Sequence, residues 1–162
     1  MRLKAKKISS ENFSTYGTIL DPYNCGEPIN PGTPFPYFND RMPITFAGGS
    51  IISLNVQIIK KTPLEFDTTE AHDFTEELVG GYATDLAFHV GPADPSGPDF
   101  SKFEAFILPK HFWIRLKRGV YHECPFIIQG VEETLGWCIL PPYTAYNDSR
   151  LYKIEKPIKI IL

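Results

Sequence analysis

Apolar residues recur along the chain with the two-residue period of β-strands. One strand is predicted over Ser50–Ile59, which is rich in isoleucine and leucine. Another is predicted over Gly81–Gly91, where Leu86, Phe88 and Val90 fall on one face. Further short strands are predicted at Leu3–Ile8, Phe103–Leu108, Trp113–Leu116, Phe126–Gln129, Thr134–Leu140 and Ile154–Leu162.

Only one helix is indicated in the first half of the chain. Ser9 or Ser10 would cap it, Phe13 is its apolar residue, and Gly17 suits its C-terminal end. The chain also contains 15 prolines, which are excluded from helix interiors and central strands. Short strands with turn signals about every 8–12 residues favour an antiparallel sandwich or closed barrel. The sequence therefore predicts one all-β domain over residues 1–162, with one or two short helices.

Charge excludes one broad class of partner. The formal net charge is −3, and no basic stripe of the kind that binds nucleic acid is present. At the N-terminus Arg2, Lys4, Lys6 and Lys7 are interspersed with apolar residues. This segment is therefore predicted to be a solvated edge strand.

Cysteine usage and hydropathy indicate a cytoplasmic protein. The three cysteines, Cys25, Cys124 and Cys138, are widely spaced, which predicts neither a disulfide framework nor a zinc finger. Reduced thiols in the cytoplasm are the simplest expectation. No apolar run reaches about 18 residues, so no membrane span is expected. The N-terminus also lacks the apolar stretch of a signal peptide.

Two segments concentrate the side chains that could carry chemistry. The first runs from Glu70 to Glu77, and in it Glu70 and His72 share a face if they lie on a strand. The second is Gly119–Pro125, where the spacing from Gly119 to His122 predicts a tight turn. That turn would deliver an imidazole at the start of a strand.

Together the two segments supply ligands for a divalent metal. Imidazoles with a carboxylate, and open positions for substrate, suit such a site. The alternative is that the glutamates form a solvated turn and that each histidine is an ordinary surface or core residue. The candidate ligands are Glu70, His72, Glu76 or Glu77, and His122.

Polar residues on predicted strands are candidates for contacts with a substrate. Ser53 and Asn55 share one face of an apolar strand, and buried polar groups need hydrogen-bond partners. Arg115 and Lys117 alternate with apolar residues. They either hold an anionic substrate inside a barrel or face solvent. His89 either lines a pocket or fills the core.

The two segments resemble the cupin motifs. Glu70-Ala71-His72, followed by Glu76 or Glu77, resembles the first motif, in which His-x-His precedes a glutamate. The segment from Lys117 to His122 resembles the second, Pro-x-Gly-x-x-His, with Lys117 in the place of proline. Over nearly its full length the chain resembles the ureidoglycolate lyase family, which is itself cupin-like. The segments that carry this resemblance are Phe13-Ser14-Thr15-Tyr16-Gly17, Ser50-Ile51-Ile52-Ser53-Leu54-Asn55, Phe103-Glu104-Ala105-Phe106-Ile107 and Gly119-Val120-Tyr121-His122-Glu123-Cys124-Pro125.

The resemblance implies a double-stranded β-helix (the cupin or jelly-roll barrel), a homodimer, and elimination of urea from ureidoglycolate. Imidazole and carboxylate ligands suit Zn, Ni, Mn and Fe alike, so the metal is left open. The chain departs from the family at Val56, where an arginine is expected, and at Tyr121 and Glu123. The expected substrate is therefore ureidoglycolate or a related small carboxylate.

The motifs and the resemblance together suggest roles for these residues. A metal held by His72, His122 and either Glu70 or Glu77 is expected to act as a Lewis acid. One of the three carboxylates Glu70, Glu76 and Glu77 is expected to move the proton needed for C–N cleavage. Tyr121 is a further catalytic candidate. The substrate is expected to be oriented by Tyr121, Ser53 and Asn55, with Arg115 and Lys117 as the candidates for holding a negative charge.

Two other functions fit the same residues. One is a binding or regulatory cupin without chemistry of its own, which takes up a sugar or an organic acid. The other is a metal-free remnant of the enzyme fold. At the C-terminus, the apolar segment Ile158–Leu162 suits either a dimer interface or an additional strand.

Overall fold

The computed structural model describes residues 1–46 and 51–162, which consist mainly of β-strands. These residues include two α-helices, α1 (Ser10–Phe13) and α2 (Thr144–Asn147), and one 3-10 turn (Phe100–Lys102). No helix in this part of the chain is long and apolar enough to pass through a bilayer. The strands of the same residues are β1 (Arg2–Lys7), β2 (Gly17–Leu20), β3 (Ser53–Lys60), β4 (Glu65–Ala71), β5 (Glu77–Gly80), β6 (Leu86–Gly91), β7 (Glu104–Leu108), β8 (Trp113–Leu116), β9 (Tyr121–His122), β10 (Phe126–Ile127), β11 (Glu133–Leu140) and β12 (Arg150–Ile161).

The strands form two sheets. The first has the order β10-β6-β7-β1-β12-β4-β9, and pairing between β6 and β9 closes six of these strands into a ring. The second is open, with the order β2-β8-β5-β11-β3. The two sheets pack as a barrel-like sandwich. This confirms the predicted all-β class with two short helices and is consistent with the cupin jelly roll, the double-stranded β-helix.

Several element boundaries differ from the predicted ones. In the strand predicted over Ser50–Ile59, Ser50 lies outside the described residues and β3 begins at Ser53. The strand predicted from Gly81 begins only at Leu86, because Gly81 has a φ of 74° and belongs to the preceding turn. At the C-terminus β12 is longer than predicted and begins at Arg150.

The basic N-terminal segment is not an edge strand, contrary to the sequence prediction. β1 lies between β7 and β12 and pairs in parallel with both. Leu3 and Ala5 point into the core, whereas Lys4 and Lys6 are exposed. The alternation of side chains is therefore as predicted, but the backbone of β1 is paired on both sides.

Helix α1 directs an aromatic side chain into the larger core. Ser9 caps the helix, because its side chain accepts a hydrogen bond from the Asn12 backbone while the Asn12 side chain accepts one from the Ser9 backbone. Phe13 is fully buried between the sheets. Its ring packs edge-on against Phe106 with the ring centroids 5.5 Å apart, and it also meets Phe88.

A second core fills the ring of the first sheet. Strands around the ring contribute apolar side chains to it, and Ile158 and Ile160 of β12 are among them. Of the two uses expected for the C-terminal segment, the structure shows the additional strand. His89 also belongs to this core: it is fully buried, and its ring stacks on Phe66 with centroids 3.6 Å apart.

We expect Phe13→Ala to lower the free energy of unfolding by about 3–5 kcal/mol, because it leaves a cavity among packed aromatic rings. Urea denaturation measures this change. Phe35→Ala is the matched control, since Phe35 is 81% exposed and its removal should change stability by less than about 0.5 kcal/mol. Equal effects of the two substitutions would contradict the assignment of Phe13 to the core.

Candidate metal centre

The pairing of β4 with β9 brings the two sequence segments together. Glu70 lies directly opposite His122 in the antiparallel register of these strands. His72 follows Glu70 by two residues and therefore points to the same side. Gly119, whose φ is 73°, forms the turn before β9, and its N–H donates to the His72 carbonyl at 2.6 Å. The turn thus delivers His122 to the side of β4 that carries Glu70 and His72.

Glu70, His72 and His122 form a group that could hold a metal ion. One ligand atom from each of the three residues lies within 4.8 Å of the other two. Both histidines are buried, and Glu70 is half-buried. Metal bonds to nitrogen and oxygen ligands are about 2.0–2.2 Å long for zinc. The three residues are therefore candidate ligands of one ion.

Glu77, at the start of β5, contributes a second carboxylate to the same place. Its Oε2 lies 2.7 Å from His122 Nε2 and 3.2 Å from His72 Nε2. Its Oε1 accepts a hydrogen bond from the Cys138 thiol at 3.1 Å. Glu77 is thus held from two sheets, because His122 belongs to the first sheet and Cys138 to the second, while His72 follows the last residue of β4.

The other ring nitrogen of each histidine is bonded to the backbone. His72 Nδ1 lies 2.8 Å from the Asp148 carbonyl, and His122 Nδ1 lies 2.9 Å from the Val120 carbonyl. A carbonyl oxygen only accepts, so both Nδ1 atoms carry a proton and both Nε2 atoms point to the centre. Metal-binding histidines are commonly oriented in this way. The donor set therefore fits a divalent ion.

The charges in this cluster stabilise one another. Burial alone would lower the pKa of His122, but the Glu77 carboxylate outweighs it and raises the pKa to about 9. Burial and the His122 charge act to lower the pKa of His72, but the hydrogen bond and charge of Glu77, together with the Asp148 carbonyl, raise it overall. Burial acts to raise the pKa of Glu77, yet the two histidines hold it below its usual range. The Glu77 carboxylate thus favours the protonated form of both rings, and a metal ion would replace the Nε2 protons.

An open cavity of about 330 Å³ leads to this cluster. It is bounded by the inner side of β3 and β11 and by the segment that contains α2. A smaller cavity of about 30 Å³, room for about one water molecule, lies deeper. No lysine or arginine lines the open cavity within the described part of the chain. Its lining consists of Asn55, Gln57, Glu70, His72, Glu77, Cys138, Leu140, Pro141, Tyr143, Thr144, Ala145 and Tyr146.

Of the predicted substrate contacts, only Asn55 lines the cavity. Ser53 is on the same strand but is not part of the lining. Arg115 points away from the cavity, donates to the Pro43 carbonyl and lies 3.9 Å from Glu76. Lys117 donates to the Ser14 carbonyl at 2.6 Å. The two cationic side chains lie outside the cavity because alternation directs their apolar neighbours inward.

Two predicted catalytic residues also lie outside the cavity. Glu76 accepts a hydrogen bond from the Thr45 backbone at 2.7 Å, on the side of the chain opposite to Glu77. Tyr121 is fully buried in the ring core, where its hydroxyl donates to the Asp94 carbonyl at 2.7 Å. Each is adjacent in sequence to a residue of the cluster, Glu77 or His122, and adjacent strand residues face opposite sides.

Among the residues of the site that sequence reasoning missed are Cys138, Gln57 and Asp148. Cys138 and Gln57 line the cavity, and Asp148 holds the His72 turn. The Asp148 carboxylate accepts hydrogen bonds from the backbones of Asp73 and Phe74, and its carbonyl accepts one from His72. The one signal in the sequence concerns Cys138. Small or polar residues occupy alternate positions of its strand, on the same inner side as Cys138.

His89 contacts the backbone of the centre indirectly. Its Nε2 lies 3.2 Å from the Thr69 hydroxyl, which donates to the His122 carbonyl at 3.1 Å. Burial lowers the pKa of His89 to about 3, so its ring is neutral. His89 is not one of the residues grouped at the centre, and Thr69 links it to the backbone of His122.

Comparison of the sequence with models of known protein families and with curated proteins gives no match.

We expect His72→Ala and His122→Ala each to abolish stoichiometric binding of a divalent metal, because each removes an Nε2 atom from the centre. Elemental analysis of the purified variants measures the bound metal. The control is His111→Asn, which removes an exposed imidazole from a turn where φ is 68° and where asparagine is tolerated. Full metal occupancy in both alanine variants would contradict the assignment.

We expect Asp148→Ala to weaken metal binding about 10–100-fold, because it releases the turn that orients His72. Asp148→Asn keeps an oxygen acceptor for the same backbone groups and should have a smaller effect. Asp67→Ala, at an exposed position of β4, is the matched control. Isothermal titration with a divalent metal gives the affinities, and equal affinities in wild type and Asp148→Ala would exclude this role.

Proposed function

We propose that this protein is a metal-dependent cupin enzyme of the ureidoglycolate lyase type. Its reaction would release urea from ureidoglycolate or cleave a C–N bond in a related small carboxylate. The observation that carries the proposal is the convergence of two imidazole Nε2 atoms and the Glu77 carboxylate, with Glu70 beside them, at the inner end of an open cavity.

The surroundings of the two carboxylates support different roles. Glu77 is buried and bonded to His72, His122 and Cys138, which suits a fixed metal ligand. Glu70 is half-buried and accepts a hydrogen bond from the Ser149 hydroxyl. It lines the cavity and is therefore the better candidate for moving a proton. The residues present suit Zn, Ni, Mn or Fe.

When bound, the metal would supply Lewis acidity at a substrate oxygen. Glu70 takes the proton from the hydroxyl group of ureidoglycolate. The carbon–oxygen bond then becomes the carbonyl of glyoxylate as the carbon–nitrogen bond breaks. Glu70 returns the proton to the leaving nitrogen, which gives urea. Asn55 and Gln57 present amide groups that suit hydrogen bonds with the ureido group.

The cavity lining limits how a carboxylate substrate is held. Because no lysine or arginine lines the cavity in the described part of the chain, the negative charge must be met at the metal and the histidines. Arg115 and Lys117, which are bonded elsewhere, do not supply it. A small substrate whose charged group lies next to the reacting carbon fits this arrangement.

A second candidate is a binding cupin without chemistry. The observation that favours it is the pair of exposed rings, Tyr143 and Tyr146, at the cavity, since aromatic rings and amide groups suit an uncharged sugar. Metal bound without release of urea, together with binding of a neutral monosaccharide, would support this second candidate. Absence of bound metal would count against the enzyme and support the metal-free remnant.

We expect Glu70→Gln to lower the rate of urea release from ureidoglycolate by at least about 100-fold with metal content unchanged, because it removes the group that moves the proton. Glu77→Gln should instead lose the metal. Glu155→Gln, on an exposed part of β12, is the control. A colorimetric urea assay and elemental analysis provide the readouts. Loss of metal in Glu70→Gln, with retention in Glu77→Gln, would reverse the two roles.

A further inference from the structure

The outer sides of β3 and β11 form an exposed apolar surface. The two strands are antiparallel, and β3 is the last strand of its sheet. Five of the six residues concerned are 36–63% exposed. We call these six residues the apolar face. They form three cross-strand pairs: Leu54 with Ile139, Val56 with Trp137, and Ile58 with Leu135.

The apolar face reverses the usual arrangement of a sheet. The buried positions of β11 hold small or polar residues, Thr134, Gly136 and Cys138, whereas its large residues Leu135 and Trp137 point outward. Gly136 is required on the inner side, because a Cβ atom there would lie 2.0 Å from the Tyr82 ring. Monomeric proteins rarely expose contiguous apolar patches larger than a few hundred Å². The face therefore has the character of an interface.

We propose that the apolar face is the contact between two copies of this chain, packed face to face about a two-fold axis. Homodimer interfaces have apolar centres, and stable interfaces of standard size bury about 800 Å² per partner. Five large side chains, each roughly half exposed, supply several hundred Å² of that area. Ile51 and Ile52, which directly precede β3 in the chain, are also exposed.

A second copy is the occupant that matches the chemistry of this face. A two-fold axis lets the same residues serve on both sides, and sheet faces pack about 10 Å apart through such side chains. The six residues include no basic group that would attract an anionic membrane. At the rim, Lys60 lies opposite Glu133, so the rim carries both signs of charge and requires no oppositely charged partner.

This inference is independent of the proposed reaction. It also has a structural consequence for the cavity, because the same strands alternate between the two surfaces. Asn55 and Gln57, which line the cavity, lie between Leu54, Val56 and Ile58 of the apolar face. A partner on the outer side would therefore hold the strand that forms one wall of the cavity.

Sedimentation velocity of the full chain over a range of concentrations tests the proposal. We expect wild type to have twice the 18.4 kDa mass of the chain at micromolar concentration. Leu54→Lys should raise the dissociation constant of the dimer by about 30-fold or more, as expected when a central apolar contact is lost. The matched control is Leu151→Lys, which should leave the dimer intact, because Leu151 is as exposed as Leu54 (60% against 63%) but lies on β12.

A second variant keeps the test interpretable if Leu54→Lys fails to fold. Leu135→Thr keeps strand propensity and should also weaken the dimer, with an unchanged circular dichroism spectrum. A wild-type protein that is monomeric at every concentration would overturn the proposal, whatever else then covers the face. A dimer that survives both Leu54→Lys and Leu135→Thr would show that another surface joins the copies, and would overturn it equally.

Discussion

The buried carboxylate of Glu77 is the constraint on which the site depends. An ionised carboxylate in the interior is strongly unfavourable unless it is paired and hydrogen-bonded. His72, His122 and Cys138 provide those partners from the β4 turn, β9 and β11. The two sheets must therefore meet in one register at the inner end of the cavity, because any displacement would leave the charge unpaired.

Such a cluster adds little stability in comparison with apolar residues of similar volume. Replacement of buried ion pairs by well-packed hydrophobic residues is often neutral or stabilising. Beside the cluster, the deeper cavity is otherwise lined largely by apolar side chains, Val79, Phe88 and Leu108 among them. A charged group in such surroundings is easier to explain by function than by folding, and this is the physical argument for treating the cluster as a site.

The local part of the site could be predicted from sequence, and the distant part could not. Glu70 and His72 are two residues apart on one strand, and Gly119 precedes His122 by three residues, so short-range rules were sufficient. The bond from Cys138 to Glu77 spans 61 positions, and the bond from His72 to Asp148 spans 76. Contacts at such separations depend on the pairing order of the sheets, which periodicity does not contain.

Alternation also leaves the inner face of each strand undecided. Alternation correctly predicts that Arg115 and its apolar neighbours lie on opposite faces of the strand. It does not predict whether the face that carries Arg115 points into the barrel or towards solvent. The fold decides, because Ile114 and Leu116 are buried against the core. In β11 the usual rule fails outright, since Trp137 points outward and Gly136 inward. A prediction based on hydrophobicity would turn that strand over and place Cys138 on the surface.

The alternation of side chains along β3 and β11 therefore has to satisfy two opposite requirements. Its inner side must accept polar cavity residues beside a buried charge, so it cannot supply the apolar surface that usually holds a strand to the core. The large apolar residues occupy the remaining positions, which face outward. At β3, an edge strand paired on one side only, this leaves few contacts to hold the cavity wall in place. A partner packed against the outer side would compensate for these few contacts. The chemistry of the cavity is in this way linked to the apolar face on the other side of the same strands.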